Sequence, residues 1–169
     1  IATSEQRWSK IAFDVRPALA SGSPSVKSVG ITGQLTGSRA DIIIADDIEV
    51  PNNSMTQMMR EKLGEAVKEF DAVLKPEGKI LYLGTPQCEM SLYNTLTERG
   101  YQMRVWTARY PSIEKAEKSY GARLAPTLWD AMHNAQSPLD GNPVDPLRFD
   151  DEDLMERELS YGRSGFALQ

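Results

Sequence analysis

Four short apolar segments along the chain have the pattern of β-strands. Apolar and polar residues alternate over 25–31 and again over 101–108, whereas 42–45 and 80–84 are unbroken apolar runs. Alternation is typical of a strand with one covered face, and an unbroken run is typical of a strand in a parallel sheet that is covered on both faces. We therefore expect four strands, the second of them fully buried.

Helical patterns separate the last three of these segments. The clearest one runs from Ser54 to Leu74, where Ser54 and Gln57 have the spacing of a capping box and Pro76 follows as a terminator. A shorter pattern ends at Gly100. Strands that alternate with helices favour right-handed crossovers, so the pattern predicts an α/β fold with a mainly parallel sheet.

The composition changes after Tyr110, where charged helical stretches are interrupted by prolines. Residues 137–146 read as a loop, and a last helix is expected to begin at a cap formed by Asp150 or Asp151 and to stop at Gly162. The end of the chain therefore predicts a small helical attachment.

Charge and cysteine content limit the possible functions. The 169 residues carry a formal charge of −5, so any surface that binds nucleic acid must be local. Cys88 and His133 are the single cysteine and histidine, which excludes an internal disulfide and leaves too few soft ligands for structural zinc. No apolar stretch approaches the roughly 20 residues that cross a bilayer. These features indicate a reducing, intracellular setting.

Two adjacent carboxylates follow the most apolar strand. Asp46 and Asp47 come directly after the run at 42–45, and Thr85 follows the next predicted strand. Ligands of parallel sheets collect beyond the carboxyl ends of the strands. An apolar strand that ends in two acids is the Walker B arrangement, in which one carboxylate helps to hold Mg²⁺ and the other orients the attacking water. On these residues alone, a solvated turn or a helix cap is a slightly better interpretation than a Walker B site.

The wider context resembles one family. The string GQLTGSRADIIIADD, the long helix and ILYLGTPQ together resemble the large terminase subunit of tailed bacteriophages, closest to the short-tailed type. The resemblance covers essentially the whole chain. It implies a P-loop NTPase-like α/β fold with a mainly parallel sheet, of which residues 1–110 would be the C-terminal half of the ATPase domain. Residues 111–169 would be a helical linker or lid subdomain that leads toward a nuclease domain.

The resemblance also implies roles for individual residues. Asp46 matches the Mg²⁺-associated acid, and Asp47 stands where most relatives have the catalytic glutamate, so that Glu49 is an alternative for positioning water. Thr85 matches the coupling motif that senses the γ-phosphate, with Gln87 as a further nucleotide-contacting candidate. Arg39 lies in a glycine-flanked loop similar to the family's arginine finger, in cis or in trans; the alternative is a surface arginine paired with Asp41 or Glu49.

The family pattern is incomplete in this chain. No G-x-x-x-x-G-K-[ST] phosphate loop is present, so we expect the chain to be a piece whose phosphate loop lies upstream of Ile1 and whose nuclease lies downstream of Gln169. Mg²⁺ and ATP would both need that loop, and the piece alone would be inactive. The resemblance further implies double-stranded DNA, a portal protein and a small terminase subunit as partners. It also implies a homo-oligomeric ring at the procapsid portal in the host cytoplasm.

Three alternatives stay open. A methyltransferase-like domain that binds S-adenosylmethionine would also show an apolar strand, a helix and the turn LKPEG, although no acidic glycine loop precedes them. A nuclease built on Asp41, Asp46, Asp47 and Glu49 is disfavoured, because an extended strand separates its acids. A non-catalytic interaction module remains for the middle of the chain, where basic residues alternate with aromatic ones. There Trp106, like Trp8 and Trp129, is expected to be a core or subdomain-contact residue. The basic residues are Arg99, Arg104, Arg109, Lys115, Lys118 and Arg123.

Overall fold

The chain forms two units, Ile1–Gly84 and Thr85–Gln169. The computed structural model describes residues 7–16, 22–33, 35 and 37–166. None of the helices within these ranges has the length and apolarity that a membrane crossing requires. The predicted division after residue 110, which concerns an ATPase domain and its linker in a longer protein, stays a prediction.

The first unit is built around a β-α-β segment. Strand β3 (Ala40–Asp46) is followed by a one-turn helix α1 (Pro51–Ser54), the long helix α2 (Gln57–Val73) and strand β4 (Leu74–Leu83). The two strands pair in parallel, with Ile43 opposite Ile80 and Asp46 opposite Leu83. The expected parallel pairing of these two apolar runs is therefore confirmed, and their carboxyl ends lie at the same edge.

Helix α2 forms where the helical pattern predicts, but its start differs. Thr56, and not Ser54, is the N-cap, and its hydroxyl oxygen accepts a hydrogen bond from the backbone N–H of Met59. Ser54 instead ends α1 and is fully buried, with its hydroxyl donating to the Val50 carbonyl over 2.8 Å. Proline at the first position of α1 explains the extra turn, since Pro51 has the backbone angle of a helix start.

One face of α2 packs against one face of the parallel pair. Leu63, Val67, Phe70 and Val73 are buried on the helix, and Ala45 is buried on β3. The Phe70 ring stacks on Tyr82 of β4, with 6.1 Å between ring centroids. A helix in the crossover between two parallel strands covers one face of their sheet, and here that face is the one with Ala45 and Tyr82.

The opposite face of the pair is uncovered. Ile42 and Ile44 on β3 are 59% and 61% exposed, and Leu81 and Leu83 on β4 are 49% and 52% exposed. The expectation that β3 is buried on both faces is thus wrong for the described chain. We call these four side chains the open sheet face.

A small antiparallel ladder precedes this segment. Strands β1 (Ala12–Phe13) and β2 (Val26–Lys27) are two residues long each. Asp14 joins them to their surroundings, because its carboxylate accepts hydrogen bonds from the backbone N–H groups of Arg7 at 2.8 Å and Ser25 at 3.1 Å. The predicted strand at 25–31 is therefore much shorter than expected, and it pairs with β1 and not with the parallel sheet.

The second unit is helical. It contains α3 (Leu92–Thr95), which continues as a 3₁₀ turn to Arg99, then α4 (Ile113–Lys115), a π turn at Ala116–Tyr120 and a 3₁₀ turn at Gly121–Arg123. Helices α5 (Pro126–Asn134) and α6 (Asp151–Phe166) follow. The predicted stop at Gly100 is confirmed, since this residue has the left-handed φ of 89° that favours glycine. Residues 137–146 are free of helix and extended strand, as predicted.

The core of this unit is a compact cluster of Ala116, Leu124, Ala125 and Leu128. Trp129 packs against it and donates its indole N–H to the Gly121 carbonyl, so its core assignment is confirmed. Trp106 and Trp8, by contrast, are 62% and 76% exposed, so neither is a core residue.

The predicted strand at 101–108 is also wrong. Only Val105 forms a β-bridge there, in parallel with Leu124. The alternation of this segment is one of exposure, since residues 101, 103 and 105 are half-buried and residues 102, 104 and 106 are exposed. A single bridge at Val105 accompanies it, without a sheet. The described chain is a mixed α/β structure with a small parallel pair, compatible with the predicted α/β class, and the P-loop NTPase-like architecture stays a prediction.

Candidate functional site

The carboxylate pair lies at the carboxyl end of β3. Asp46 is the last strand residue and its side chain is exposed. Asp47 follows it with a left-handed backbone, φ 44°, and its N–H donates to the carbonyl oxygen of Leu83 over 2.9 Å. Aspartate is one of the few residues besides glycine that tolerate this conformation. The two carboxylates are therefore held at one exposed strand end, where the chain turns sharply.

The loop behind the pair is fixed by Asn53. Its side-chain oxygen accepts from the Val50 N–H at 2.8 Å, and its amide group donates to the Ile48 carbonyl at 2.8 Å. Sequence reasoning missed this residue. The signal that identifies it is its place three residues after Val50 and two after Pro51, which is the spacing of a helix-capping side chain.

Glu49 differs from the two aspartates in its surroundings. Its side chain is 2% exposed and is among the fully buried groups of the chain. A carboxylate in this position is remote from bulk water. The exposed acids at the end of β3 are Asp46 and Asp47.

Arg39 lies at the other end of the same strand. It directly precedes Ala40, where β3 begins, and its guanidinium donates to the Ser38 carbonyl at 2.9 Å. A strand rises about 3.3 Å per residue, so the backbones of residues 39 and 46 are roughly 23 Å apart. Arginine and aspartate side chains are too short to meet across that distance at one phosphate group.

The alternative interpretation of Arg39 is a surface arginine that pairs with Asp41 or Glu49, and the ion pair of β3 bears on it. Asp41 pairs with Lys75, at 2.9 Å between Nζ and Oδ2. Asp41 therefore has another cation as its partner, and the Arg39 side chain is exposed.

Thr85 and Gln87 belong to the second unit. Thr85 follows the end of β4 by two residues, and its carbonyl oxygen accepts a hydrogen bond from the Gln87 side-chain amide at 3.1 Å. The coupling candidate Thr85 and the nucleotide-contacting candidate Gln87 are thus joined by a hydrogen bond. Gly84, with φ 157°, separates them from the strand.

No group of three or more histidine, cysteine, aspartate or glutamate side chains in the described ranges is arranged to hold a metal ion. Mg²⁺ on a nucleotide does not need such a cluster, because it keeps several waters and takes one or two protein carboxylates beside the phosphates. An exposed single carboxylate such as Asp46 fits that mode of binding.

The chain was compared with known proteins. No protein-family model matches it. A search of curated proteins finds a protein described as "Terminase, large subunit" from Enterobacteria phage T3, which is 58% identical over 167 residues. That alignment covers 97% of this chain, and the chain spans 28% of the length of the T3 protein. The resemblance indicated by the motifs around Asp46 and Thr85 is thereby confirmed, and the chain is related to one segment of a phage terminase large subunit.

Proposed function

We propose that this chain is part of the ATPase motor of a viral terminase large subunit, which couples Mg²⁺-dependent ATP hydrolysis to movement of DNA into a capsid. The observation that carries the proposal is the exposed Asp46–Asp47 pair at the carboxyl end of a parallel strand, in a chain related to a terminase large subunit. Phosphoryl transfer needs positioning and charge neutralisation more than covalent chemistry. Both aspartates are suited to that task.

Asp46 would hold the magnesium ion. Its carboxylate is exposed at the rigid end of β3, paired to β4 at Leu83, so little entropy is lost when it accepts hydrogen bonds from a hydrated cation. Bound Mg²⁺ would neutralise negative charge on the nucleotide phosphates. The phosphate loop, which this sequence lacks, would supply the remaining contacts of the nucleotide.

Asp47 would position the attacking water. Its carboxylate accepts hydrogen bonds and can orient a water molecule for in-line attack. The burial of Glu49 supports this assignment, since a group that is 2% exposed is poorly placed to bind a water beside the nucleotide. Asn53 would act as a positioning residue, because it holds the loop that directly follows both acids.

Arg39 would act on the site of a neighbouring subunit. Its separation from Asp46 by the whole of β3 speaks against a role at the site of its own chain. A guanidinium brought to a phosphate from another subunit offsets the charge that develops during transfer. Thr85, supported by Gln87, would respond to loss of the γ-phosphate.

The open sheet face supports the proposal that this chain is part of a larger ATPase domain. Parallel sheets are normally covered on both faces. Four aliphatic side chains on one face are about half exposed or more, and the T3 relative is more than three times as long as the aligned segment. Further polypeptide of the intact subunit would cover this face, which fits a β-α-β unit taken from a larger ATPase sheet.

The wider assignment follows from the relationship. The intact subunit would work as a ring at the procapsid portal in the host cytoplasm. Double-stranded DNA, the portal protein and a small terminase subunit would be its partners, and an endonuclease domain would accompany the ATPase. The methyltransferase alternative gains no support from the comparison, which finds a terminase.

The test is ATP turnover by the intact large subunit with Asp46→Ala. We expect turnover and packaging to fall to background while the circular dichroism spectrum stays unchanged. Asp41→Ala is the matched control, because Asp41 is also an exposed acid of β3 but pairs with Lys75 at the opposite end. Normal turnover by the Asp46 variant would refute the proposal.

A further inference from the structure

The segment that follows the acid pair is cross-linked by its own hydrogen bonds. The Val50 carbonyl oxygen accepts from the backbone N–H of Asn53 at 2.9 Å and from the Ser54 hydroxyl at 2.8 Å. The Val50 N–H donates to the side-chain oxygen of Asn53, and the Asn53 amide group donates to the Ile48 carbonyl, each over 2.8 Å. We call residues 48–54 the clamped loop. These bonds connect residues along its whole length, so the loop moves as one piece.

Asp47 lies between this loop and the parallel sheet. On one side, its own N–H donates to the Leu83 carbonyl of β4 over 2.9 Å. On the other side, the next residue is Ile48, whose carbonyl oxygen is held by Asn53. Asp47 also has the left-handed φ of 44°, which leaves its backbone few alternatives. The direction of its side chain is therefore set by two attachments, one to β4 and one to the clamped loop.

Arg60 fastens the clamped loop to helix α2. Its guanidinium donates to the Ser54 carbonyl over 2.8 Å, and the bond is partly buried. Ser54 is the last residue of α1, and the final carbonyl groups of a helix have no partner within that helix. Ser54 is fully buried, so water is a poor replacement for the guanidinium as donor. An ionised donor makes a hydrogen bond roughly twice as strong as a neutral one, so this bond attaches the loop firmly.

The place of Arg60 in α2 is unfavourable for the helix by itself. Arg60 lies three residues after Gln57, where α2 begins, and the first turn contains no acid. A helix amino terminus carries partial positive charge, so a cation near it is repelled. Within the described ranges, the Ser54 carbonyl is the one hydrogen-bond acceptor that the Arg60 guanidinium contacts. What the guanidinium contributes is thus its contact with the clamped loop.

Helix α2 is a rigid support for that contact. Its apolar face packs against the parallel pair, and the Phe70 ring stacks on Tyr82 of β4 with 6.1 Å between ring centroids. A helix packed in this way cannot shift without breaking those contacts. The sheet therefore holds Asp47 twice, directly through Leu83 and indirectly through α2, Arg60 and the clamped loop.

We propose that Arg60 is a positioning residue for ATP hydrolysis, which keeps Asp47 directed at the attacking water. Arg60 holds Ser54 in place. The neighbouring Asn53 then keeps the Ile48 carbonyl at a fixed position beside Asp47. The inference rests on the proposed function, because Asp47 is assigned to the water there. It adds to that function a residue of α2 that lies outside the loop.

A guanidinium in a nucleotide-binding domain can instead bind a phosphate group directly. The structure favours positioning, because Arg60 is half-buried and its guanidinium is directed at a carbonyl oxygen of its own chain. The two roles have different kinetic signatures. Loss of a phosphate contact made by the bound substrate raises the KM for ATP, whereas loss of orientation of the water lowers kcat alone.

The experiment is steady-state ATP turnover by the intact large subunit with Arg60→Met, which removes the donor and keeps an unbranched side chain. We expect kcat to fall about tenfold or more, because small misplacements at a reacting centre are costly, and the KM for ATP to stay within about twofold. Arg60→Lys should recover part of the lost kcat, since its ammonium can donate to the same carbonyl. Lys62→Met is the matched control and should leave kcat unchanged, because Lys62 is an exposed cation of the same helix.

A double variant tests whether Arg60 acts through the clamped loop. Asn53→Ala by itself should also lower kcat, because it releases the Ile48 carbonyl. If both side chains act on Asp47 along the same path, adding Arg60→Met to Asn53→Ala should lower kcat little further. Independent effects would multiply.

Hydrogen exchange of the 169-residue chain gives a measurement that does not depend on catalysis. The Val50 N–H reports on the clamped loop, because it donates to the Asn53 side chain. Its protection should fall several-fold in Arg60→Met. The Leu74 N–H, which donates to the Phe70 carbonyl at the end of α2, should keep its protection, since the helix itself stays folded.

The inference is overturned if Arg60→Met turns over ATP as Lys62→Met does, or if its KM rises while kcat is kept. Multiplied effects in the double variant, or unchanged protection of the Val50 N–H, overturn it as well. Failure of the proposed function gives a different result, because Asp46→Ala then keeps normal turnover. An inactive Asp46 variant together with a normal Arg60 variant leaves the ATPase assignment in place and removes only the role of Arg60.

Discussion

The backbone N–H of Asp47 donates to the carbonyl oxygen of Leu83 over 2.9 Å, although Asp47 already has a left-handed backbone. One residue is thus both the last link of the parallel ladder and the start of the turn that leaves it. The side chain at this position is held by hydrogen bonding of its own backbone. Its orientation depends on a conformation that few residue types tolerate.

This conformation predicts which substitutions the position accepts. Asp47→Asn should leave the free energy of unfolding of the chain almost unchanged, because asparagine tolerates the left-handed region. Asp47→Glu should lower it by about 1 kcal/mol, since a longer side chain lacks this tolerance. Urea unfolding followed by circular dichroism measures both. Equal stability of the two variants would show that the backbone does not select aspartate.

The two acids that compete for the water-positioning role can be separated in the intact subunit. Asp47→Asn should lower ATP turnover about 100-fold or more with little change in stability. Glu49→Gln should do the reverse, since the Glu49 side chain is buried: it should lower the melting temperature and retain most turnover at low temperature. The opposite pattern would assign the water to Glu49.

The position of Arg39 predicts complementation between defective subunits. Arg39→Ala subunits keep Asp46, and Asp46→Ala subunits keep Arg39, so a mixture should recover part of the turnover that each lacks. Arg39→Ala subunits mixed with subunits that carry both Arg39→Ala and Asp46→Ala should recover no turnover, because no subunit in that mixture supplies the arginine. Absence of rescue at every ratio would contradict action in trans.

Asp14 predicts a pH dependence for the small antiparallel ladder. The hydrogen bond from the Arg7 N–H, with that from Ser25, lowers the pKa of the Asp14 carboxyl below its ordinary value of 3.8. A lowered pKa in the folded state contributes stability above the ordinary value, and this is lost as the pH falls through the folded-state pKa.

Hydrogen exchange of the Ser25 N–H measures this effect. Protection should be higher in the wild type than in Asp14→Asn at neutral pH, and the difference should vanish as the pH falls through the lowered pKa of the folded-state Asp14 carboxyl. Asp130→Asn is the control, because Asp130 is an exposed acid on α5. A difference that persists at low pH would show that the ionised carboxylate is not its cause.

Two leucines of the second unit form a matched pair. Leu128 is 2% exposed in the core cluster, and Leu147 is fully exposed. Leu128→Ala should lower the free energy of unfolding by about 2–5 kcal/mol, because it removes buried methyl groups and leaves a cavity. Leu147→Ala should have almost no effect. Thermal unfolding of the two variants provides the comparison, and similar melting temperatures would contradict the described core.

Much of the fold was predictable where one pattern dominates. The helical period of α2 and the apolar runs of β3 and β4 predicted the β-α-β unit. Gly100 and Asp150 predicted two helix ends, because capping depends on residues that are close in the sequence. The site residues themselves stay predictions. The sequence pattern predicted only their position, with Asp46 and Asp47 at the carboxyl end of an apolar strand.

The errors arose where alternation was taken as evidence for a sheet. Val105 is half-buried between exposed neighbours, and a single bridge to Leu124 accompanies this alternation. The open face of β3 has a different cause: an apolar run indicates what a side chain prefers, but Ile42 and Ile44 can be covered only by chain that is close enough. The burial of Glu49 depends on tertiary packing that no periodicity reports. The hydrogen bonds of Asn53 are local, and the sign of them is capping spacing, which a search for periodic patterns does not detect.

Strand β3 has one further consequence if Arg39 acts in trans as proposed. The seven residues of β3 separate Arg39 at one end from the Asp46–Asp47 pair at the other by a fixed distance. Each subunit would therefore supply its arginine to the site of one neighbour and receive an arginine at its own acid pair from the next. ATP hydrolysis would then proceed around such a ring in one direction. A single subunit with a damaged β3 would prevent hydrolysis at two sites, its own and that of the neighbour to which it supplies Arg39.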